Sequence, residues 1–107
     1  MTERPIPRVA TLRHVCSATE HGAAEPAGGL RPGSLDAVGF VHLCTPEQLP
    51  GVLARFYAGA VGLVVLHVDP GRLPPGTLVW EEGEPGEDFP HLYAPLPLDA
   101  VVAVEAR

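Results

Sequence analysis

Apolar and polar residues alternate along much of this chain, in short segments bounded by proline and glycine, which is typical of β-strands. One segment differs, because residues 62–69 form a nearly continuous apolar run that suits a central strand covered on both faces. The pattern predicts six strands, over residues 9–15, 39–44, 62–69, 78–81, 89–93 and 100–104.

Two capping-box patterns predict two helices, both in the first half of the chain. Ser17 precedes Glu20 by three residues, and Thr45 precedes Gln48 by the same spacing, which lets side chain and backbone bond reciprocally at a helix start. We expect the first helix to end before residues 26–29. The second helix has one apolar face, formed by Leu49, Val52, Leu53, Phe56 and Tyr57.

The segments between these elements are predicted to be turns and loops. Residues 26–38, interrupted by Pro32 and Gly33, are expected to form a surface loop, and residues 82–88 an acidic loop. Gly59 is expected to end the second helix. A length of 107 residues predicts one domain, residues 1–107, with a compact, sheet-rich α+β fold.

The charge balance narrows the classes of partner. Thirteen acidic residues outnumber seven basic ones, all arginine, for a formal charge of −6. A long nucleic acid needs clustered basic residues and is therefore not expected. A few arginines still suffice to bind one or two phosphates, so the balance favours a small anionic ligand.

The chain has features of a cytoplasmic protein. No apolar run approaches the length of a membrane span, and the N-terminus lacks a signal-peptide pattern, so no membrane partner is expected. Cys16 and Cys44 are too few for a disulfide framework and are expected to be reduced thiols. The apolar segment at residues 100–104 either pairs with a second copy or lies inside the sheet, which leaves monomer and homodimer open.

Three histidines lie within apolar strand patterns and are the main candidates for function. They are His14, His42 and His91. Burying an imidazole costs free energy unless its nitrogens find partners. Strand alternation places His42 on one face with Phe40 and Cys44. Apolar faces with a few polar groups are typical of ligand pockets, so we expect the three imidazoles to converge around one cavity.

The same alternation gives His91 a shared face with Phe89 and Tyr93, and His14 a shared face with Leu12 and Cys16. Glu81 is either an active-site acid or a salt-bridged surface carboxylate. His67, in the most apolar strand, is interpreted as structural. The spacing of the histidines shows no metal-binding motif, so no metal is predicted, although three histidines from separate strands can still meet.

A cysteine nucleophile is an alternative to the histidine pocket. Cys44 comes just before a predicted helix start, where the helix dipole lowers a thiol pKa. His42, two residues away on the same strand face, is a poor base for it unless the strand bends.

Several motifs resemble a bacterial family of domains of unknown function, number 952. Its pattern is Gly-Phe-Ile-His-x-Ser-Thr, then Trp-Glu, then Phe-Pro-His-Ile-Tyr-Gly-Pro-Leu. The chain matches this pattern in order at residues 39–45, 80–81 and 89–96. It departs from the pattern at Cys44, which replaces Ser, and at Ala94, which replaces Gly.

A more distant resemblance is to RNA 2′-phosphotransferases and, through them, to the ADP-ribosyltransferase fold. Those proteins carry a histidine at the end of an early strand and a second in a Val-His-Leu-Ser/Thr strand, and His14 and His42 lie at the matching positions. The resemblance implies two small packed sheets, antiparallel or mixed, with a nicotinamide-ribose cleft between them. The basic surface of the RNA enzymes is missing from this acidic chain.

The resemblance implies an ADP-ribosyltransferase-like enzyme that binds NAD, ADP-ribose or a related nucleotide, with phosphotransfer as a related activity. Its implied catalytic residues are His42, His91 and Glu81, and its implied cofactor-binding residues are His14, His42, Thr45 and Tyr93. Thr45 would hold an anion at the helix start. Two alternatives stay open: an inactive small-ligand binding module, and a non-NAD enzyme with His42 and His91 as an acid–base pair.

Overall fold

The computed structural model describes residues 11–107, so the predicted strand residues Val9 and Ala10 lie outside the described part. Six strands, three helices and two 3₁₀ turns, at Pro70–Arg72 and Leu98–Ala100, make up the described chain. The helices and strands follow in the order β1 (Leu12–Ser17), α1 (Ala18–Ala27), α2 (Gly33–Val38), β2 (Val41–His42), α3 (Leu49–Phe56), β3 (Leu63–Val68), β4 (Leu78–Glu84), β5 (Glu87–Leu92) and β6 (Val101–Ala106).

The strands form two three-stranded antiparallel sheets, in the orders β1-β3-β6 and β2-β5-β4. The two small sheets of the predicted α+β fold are therefore confirmed, and both are antiparallel. The apolar run predicted as a central strand is β3, with Val65, Leu66 and Val68 fully buried. A two-residue backbone bridge between Arg13 and Cys44 joins β1 to the chain that follows β2. This bridge brings the first and second histidine strands side by side.

Two groups of buried side chains hold the sheets and helices together. In the larger group, residues of the first sheet such as Leu66 pack with Val41 and Leu92 of the second sheet. The smaller group joins the first sheet to α3, because Val15 and Val65 pack with Leu49 and partly buried residues of the helix face. The predicted apolar face of this helix thus packs against the core, with Leu49 buried and the other residues partly buried, except that Phe56 is exposed.

The capping box at Ser17 is confirmed, because its side chain accepts from Glu20 N and Glu20 Oε1 accepts from Ser17 N. The predicted end of α1 before residues 26–29 was wrong. The helix continues to Ala27 and ends at Gly28, whose φ of 81° is the left-handed conformation that glycine adopts without strain. The proline at position 26 therefore did not end the helix.

The prediction of a loop over residues 26–38 was also wrong in part, because residues 33–38 form α2. Pro32 lies at the N-cap, where its lack of an N–H costs nothing, and Gly39 ends the helix with a φ of 90°. Leu35 packs against the larger core group and gives this short helix an anchor.

The second capping box forms but lies one turn ahead of its helix. Thr45 Oγ1 accepts from Gln48 N at 3.1 Å, and Gln48 Oε1 accepts from Thr45 N at 3.0 Å. These bonds close a turn over residues 46–48, and α3 begins at Leu49. The helix ends at Phe56, ahead of the predicted stop at Gly59.

The predicted acidic loop at residues 82–88 is instead the end of a hairpin. Strands β4 and β5 extend through it and leave only Pro85 and Gly86 in the turn. Gly86 has a φ of 79°, and its N–H donates to Glu82 Oε2 at 2.6 Å. Carboxylates on a solvent-facing strand edge stay hydrated, so charge alone did not exclude strand structure. Among the residues that the structure describes, none belongs to a helix long and apolar enough to cross a membrane.

Candidate functional site

A cleft of about 610 Å³ opens beside the junction of the two sheets. Its walls come from β1, β2, α3 and the β4–β5 hairpin, with the start of α2 at one side. All three predicted imidazoles line this one cleft: His14, His42 and His91. Their convergence follows from the backbone bridge between β1 and the residues after β2, and from the pairing of β2 with β5.

His14 is only 5% exposed, yet only one of its ring nitrogens has a partner. Its Nδ1 lies 2.8 Å from the backbone oxygen of His42. A carbonyl oxygen can only accept, so Nδ1 carries the proton, and in the neutral ring Nε2 is left with a lone pair. Nε2 is buried and has no hydrogen-bond partner among residues 11–107. Burial lowers the pKa of His14 and keeps this ring neutral.

His91 is held by a carboxylate on the neighbouring strand. Its Nδ1 lies 2.7 Å from Glu81 Oε1, and the Tyr93 hydroxyl donates to the same oxygen at 2.6 Å. The strand register explains the contact: Val79 lies opposite His91, and Glu81 is two residues further along the same face. The hydrogen bonds from Tyr93 and His91 lower the pKa of Glu81, so it is a carboxylate when it meets the imidazole.

Phe40 contacts the imidazoles of both His42 and His91. Its ring stacks on His91 with centroids 3.9 Å apart and an interplanar angle of 15°. It meets His42 edge-on, with centroids 4.8 Å apart. His42 lies directly opposite His91 in the register, with ring centroids 5.7 Å apart. Partial burial, and to a smaller extent the neighbouring His91, lower the pKa of His42.

The cleft wall carries more negative than positive side chains, although the composition had favoured a small anionic ligand. Three carboxylates line it, from Glu20, Glu82 and Glu84, against the single guanidinium of Arg13. Arg13 donates to Thr11 Oγ1 at 2.7 Å, and the same nitrogen, Nη1, lies close to the backbone oxygens of Thr11 and Leu12. Net composition could not predict this distribution, because it does not say where the few arginines lie.

Three of the predicted site residues lie outside the cleft walls. Glu81 bonds from outside the walls to His91, which does line the cleft, and Tyr93 bonds to Glu81. Thr45 is not a wall residue; its hydroxyl accepts from Gln48 N, and its backbone oxygen accepts from Leu49 N at the start of α3. The anion-binding role of Thr45 stays a prediction.

The cysteine-nucleophile alternative does not fit the structure. Cys44 lines the cleft but is buried, and desolvation raises its pKa to about 11. The charge of Arg13 lowers this pKa, but desolvation outweighs it. The thiol therefore stays protonated and is a weak nucleophile. Among residues 11–107, no three His, Cys, Asp or Glu side chains lie together in a way that could hold a metal ion.

Some cleft residues were not predicted from the sequence, and others were predicted to have a different role. Strand alternation places Arg13 on the face opposite its neighbour His14, yet both line the cleft, which lies at the edge strand of the first sheet. Tyr57 was assigned to the helix core face, and its hydroxyl lies 3.4 Å from the backbone oxygen of Val15 at the cleft wall. Gly83 also lines the wall. A larger residue at this position would place its Cβ 2.7 Å from the Phe89 side chain, which is too close without a shift. Spacing alone carries no signal for such contacts between separate elements.

Two antiparallel sheets with an imidazole-lined cleft at their junction define this protein as a small α+β domain. A family described as "Protein of unknown function (DUF952)" matches residues 15–104, and the chain belongs to this family. The resemblance to family 952 is thereby confirmed, whereas the relation to the ADP-ribosyltransferase fold stays a prediction.

Solved structures of one protein, CC0527 from Caulobacter crescentus, share the fold. Its crystal structure has a TM-score of 0.81 at 33% identity, over 88% of this chain and 82% of that chain. A double mutant has a TM-score of 0.81 at 32% identity with the same coverage. The solution NMR structure has a TM-score of 0.74 at 33% identity, over 89% and 82%. Comparison with curated proteins gives no match.

Stability is expected to fall as the pH decreases from 7.5 to 5. The pKa values of His14 and His42 are lowered from 6.5 in the folded protein, so below pH 6.5 the unfolded chain binds more protons than the folded one. Urea unfolding at a series of pH values measures this effect. A His42→Gln variant should lose part of the dependence. A free energy of unfolding that stays constant or rises towards pH 5 would contradict the assigned neutral state of these rings.

Proposed function

We propose that the protein is a small-molecule enzyme in which His91 transfers a proton and Glu81 orients its ring. The observation that carries the proposal is the 2.7 Å contact between His91 Nδ1 and Glu81 Oε1, made by a ring that lines the cleft. A carboxylate on one imidazole nitrogen fixes the tautomer and strengthens the other nitrogen as a base. Nε2 is then the nitrogen of His91 that remains for a substrate.

The surroundings of His91 support this role. The ring is 6% exposed and stacks on Phe40, so its orientation is restricted on one face by packing and at one edge by Glu81. The second hydrogen bond to Glu81, from Tyr93, in turn holds the carboxylate. A catalytic group that is fixed before the substrate arrives loses little entropy in the reaction.

His42 is the natural second proton carrier. It lies beside His91 in the cleft, is more exposed, and is held neutral near pH 7 by its lowered pKa. A neutral imidazole can accept a proton while its neighbour donates one, which is the acid–base pair expected of these two residues.

The experiment is a turnover screen of small esters, amides, lactones and epimerisable amino compounds, with conversion followed by NMR. Wild type should convert at least one class, and His91→Gln should reduce the rate by about 10²–10⁴-fold. Conversion that is unaffected by His91→Gln would refute the proposal. Binding without conversion would leave the other alternative, an inactive ligand-binding module.

A nucleotide ligand is a second candidate, supported by one observation and by the resemblance to the ADP-ribosyltransferase fold. The free Nε2 acceptor of His14 is suited to a ribose hydroxyl, and NAD, ADP-ribose or a related nucleotide would supply one. Transferase chemistry on NAD would use the same cleft, with Glu81 or His91 orienting the acceptor. The three carboxylates of the wall oppose its phosphates.

Calorimetric titration with NAD and with ADP-ribose tests this candidate. The nucleotide hypothesis expects binding that weakens in His42→Ala, and nicotinamide release that is lost in Glu81→Gln. No heat with either ligand at millimolar concentration, or equal binding by the variant, would refute the nucleotide candidate.

We also propose a cytoplasmic location, because Cys16 and Cys44 are both free thiols in the fold, as in reducing compartments.

A further inference from the structure

A buried residue of the cleft wall, His14, carries a hydrogen-bond acceptor that nothing in the described chain satisfies. His14 Nε2 carries a lone pair because Nδ1 donates to the His42 carbonyl. Leaving a buried acceptor unpaired costs free energy, and a ligand that brings a donor recovers it. The bound molecule should therefore place an N–H or O–H group against this nitrogen.

The rim of the cleft adds negative charge. Of Glu20, Glu82 and Glu84, only Glu84 forms an ion pair within the described residues, with Arg55 at 3.8 Å. Glu20 and Glu82 bond to backbone N–H groups, which hold them in place without neutralising them. The three carboxylates outnumber the single wall guanidinium of Arg13, so the cleft has a negative field that attracts cations.

Aromatic rings complete the lining. Phe40, Phe56, Tyr57 and Phe89 all contribute to the walls. Ring faces attract organic cations, and a volume of about 610 Å³ lies within the range of small-molecule sites.

From the acceptor, the carboxylates and the rings together, we infer that the cleft binds a small organic cation with N–H donors, such as a protonated amine or amidine. The inference rests on the proposed function, since it names the substrate class of the same site. It also favours the small-molecule enzyme over the nucleotide candidate, because an anionic nucleotide would be the poorer ligand.

Four probes that share one aromatic ring separate the contributions. Benzamidine is a cation with N–H donors, benzamide is neutral with N–H donors, benzoate is an anion, and benzyltrimethylammonium is a cation without N–H. Chemical-shift titration of the ¹⁵N-labelled full chain should rank benzamidine first, with a dissociation constant at or below the low millimolar range expected of so small a ligand. Each of the other probes should bind at least about fivefold more weakly.

Variants on the rim test the charge independently of His14, whose replacement could disturb folding. Glu20→Gln combined with Glu82→Gln should weaken benzamidine binding about tenfold, because both substitutions keep a hydrogen-bonding oxygen and remove only charge. The matched control combines Glu25→Gln with Glu47→Gln, two exposed carboxylates outside the cleft walls, and should change the affinity less than twofold.

The outcomes distinguish this inference from the proposed function. Benzamide or benzoate binding as well as benzamidine, or unchanged benzamidine affinity in the rim variant, would overturn the cationic ligand. Binding of benzyltrimethylammonium equal to that of benzamidine would overturn the N–H donor. Benzamidine binding without any turnover in the screen would keep the inference and refute the enzyme, whereas His91-dependent turnover of neutral molecules without benzamidine binding would do the reverse.

Discussion

Replacing Leu66 with alanine is expected to lower the free energy of unfolding by about 2–5 kcal/mol. Leu66 is 0% exposed in the central strand β3 and packs where the first sheet meets Val41 and Leu92 of the second. Its removal leaves a cavity between the two sheets that hold the cleft. Urea denaturation followed by circular dichroism measures the change.

A control for this substitution lies directly across the sheet. Val104 on β6 is the register partner of Leu66 but is 48% exposed, so Val104→Ala should cost less than about 1 kcal/mol. A loss below 1 kcal/mol for Leu66→Ala, or equal losses for both variants, would contradict the two-sheet packing.

Glu81→Gln is expected to reduce turnover by about 10²-fold or more while leaving the fold intact. The glutamine keeps an oxygen of similar position but loses the charge that holds the Nδ1–H tautomer of His91. Glu81 is partly exposed at the sheet face, so its replacement leaves the core unchanged. Initial rates on the substrate identified in the screen measure the effect.

The chain contains a second glutamate–histidine contact that serves as a control. Glu105 Oε1 lies 3.2 Å from His67 Nε2 on the first sheet, and neither residue lines the cleft. Glu105→Gln removes the same kind of contact and should leave the rate unchanged within about twofold. Equal loss of activity in both variants would show that charge or stability, and not the orientation of His91, controls turnover.

The shared surroundings of His42 and His91 were predictable because strand alternation is a local property, whereas His14 joins them through the long-range bridge between Arg13 and Cys44. Phe40 and His42 share a face by their spacing, as do His91 and Tyr93, and one antiparallel pairing then brings all four together. The contact between Glu81 and His91 depends on the register of the β4–β5 hairpin. That register was not predicted from the sequence, because the acidic residues of the hairpin were interpreted as a loop.

The character of the ligand was the part least accessible from the sequence. A net charge of −6 leaves open whether arginines or carboxylates line the cleft, and the structure places three carboxylates and one arginine there. Thr45 shows a related limit: the capping box was recognisable, but only the folded chain shows that it closes a turn ahead of α3.

A ¹H–¹⁵N NMR measurement of the imidazole tautomers near pH 7 tests the orientation of His91 by Glu81 directly. His14 and His91 should both carry their proton on Nδ1, and the Nδ1–H signal of His91 should shift or be lost in Glu81→Gln. A His91 ring with its proton on Nε2 alone, or one unaffected by that substitution, would contradict the proposed role of Glu81.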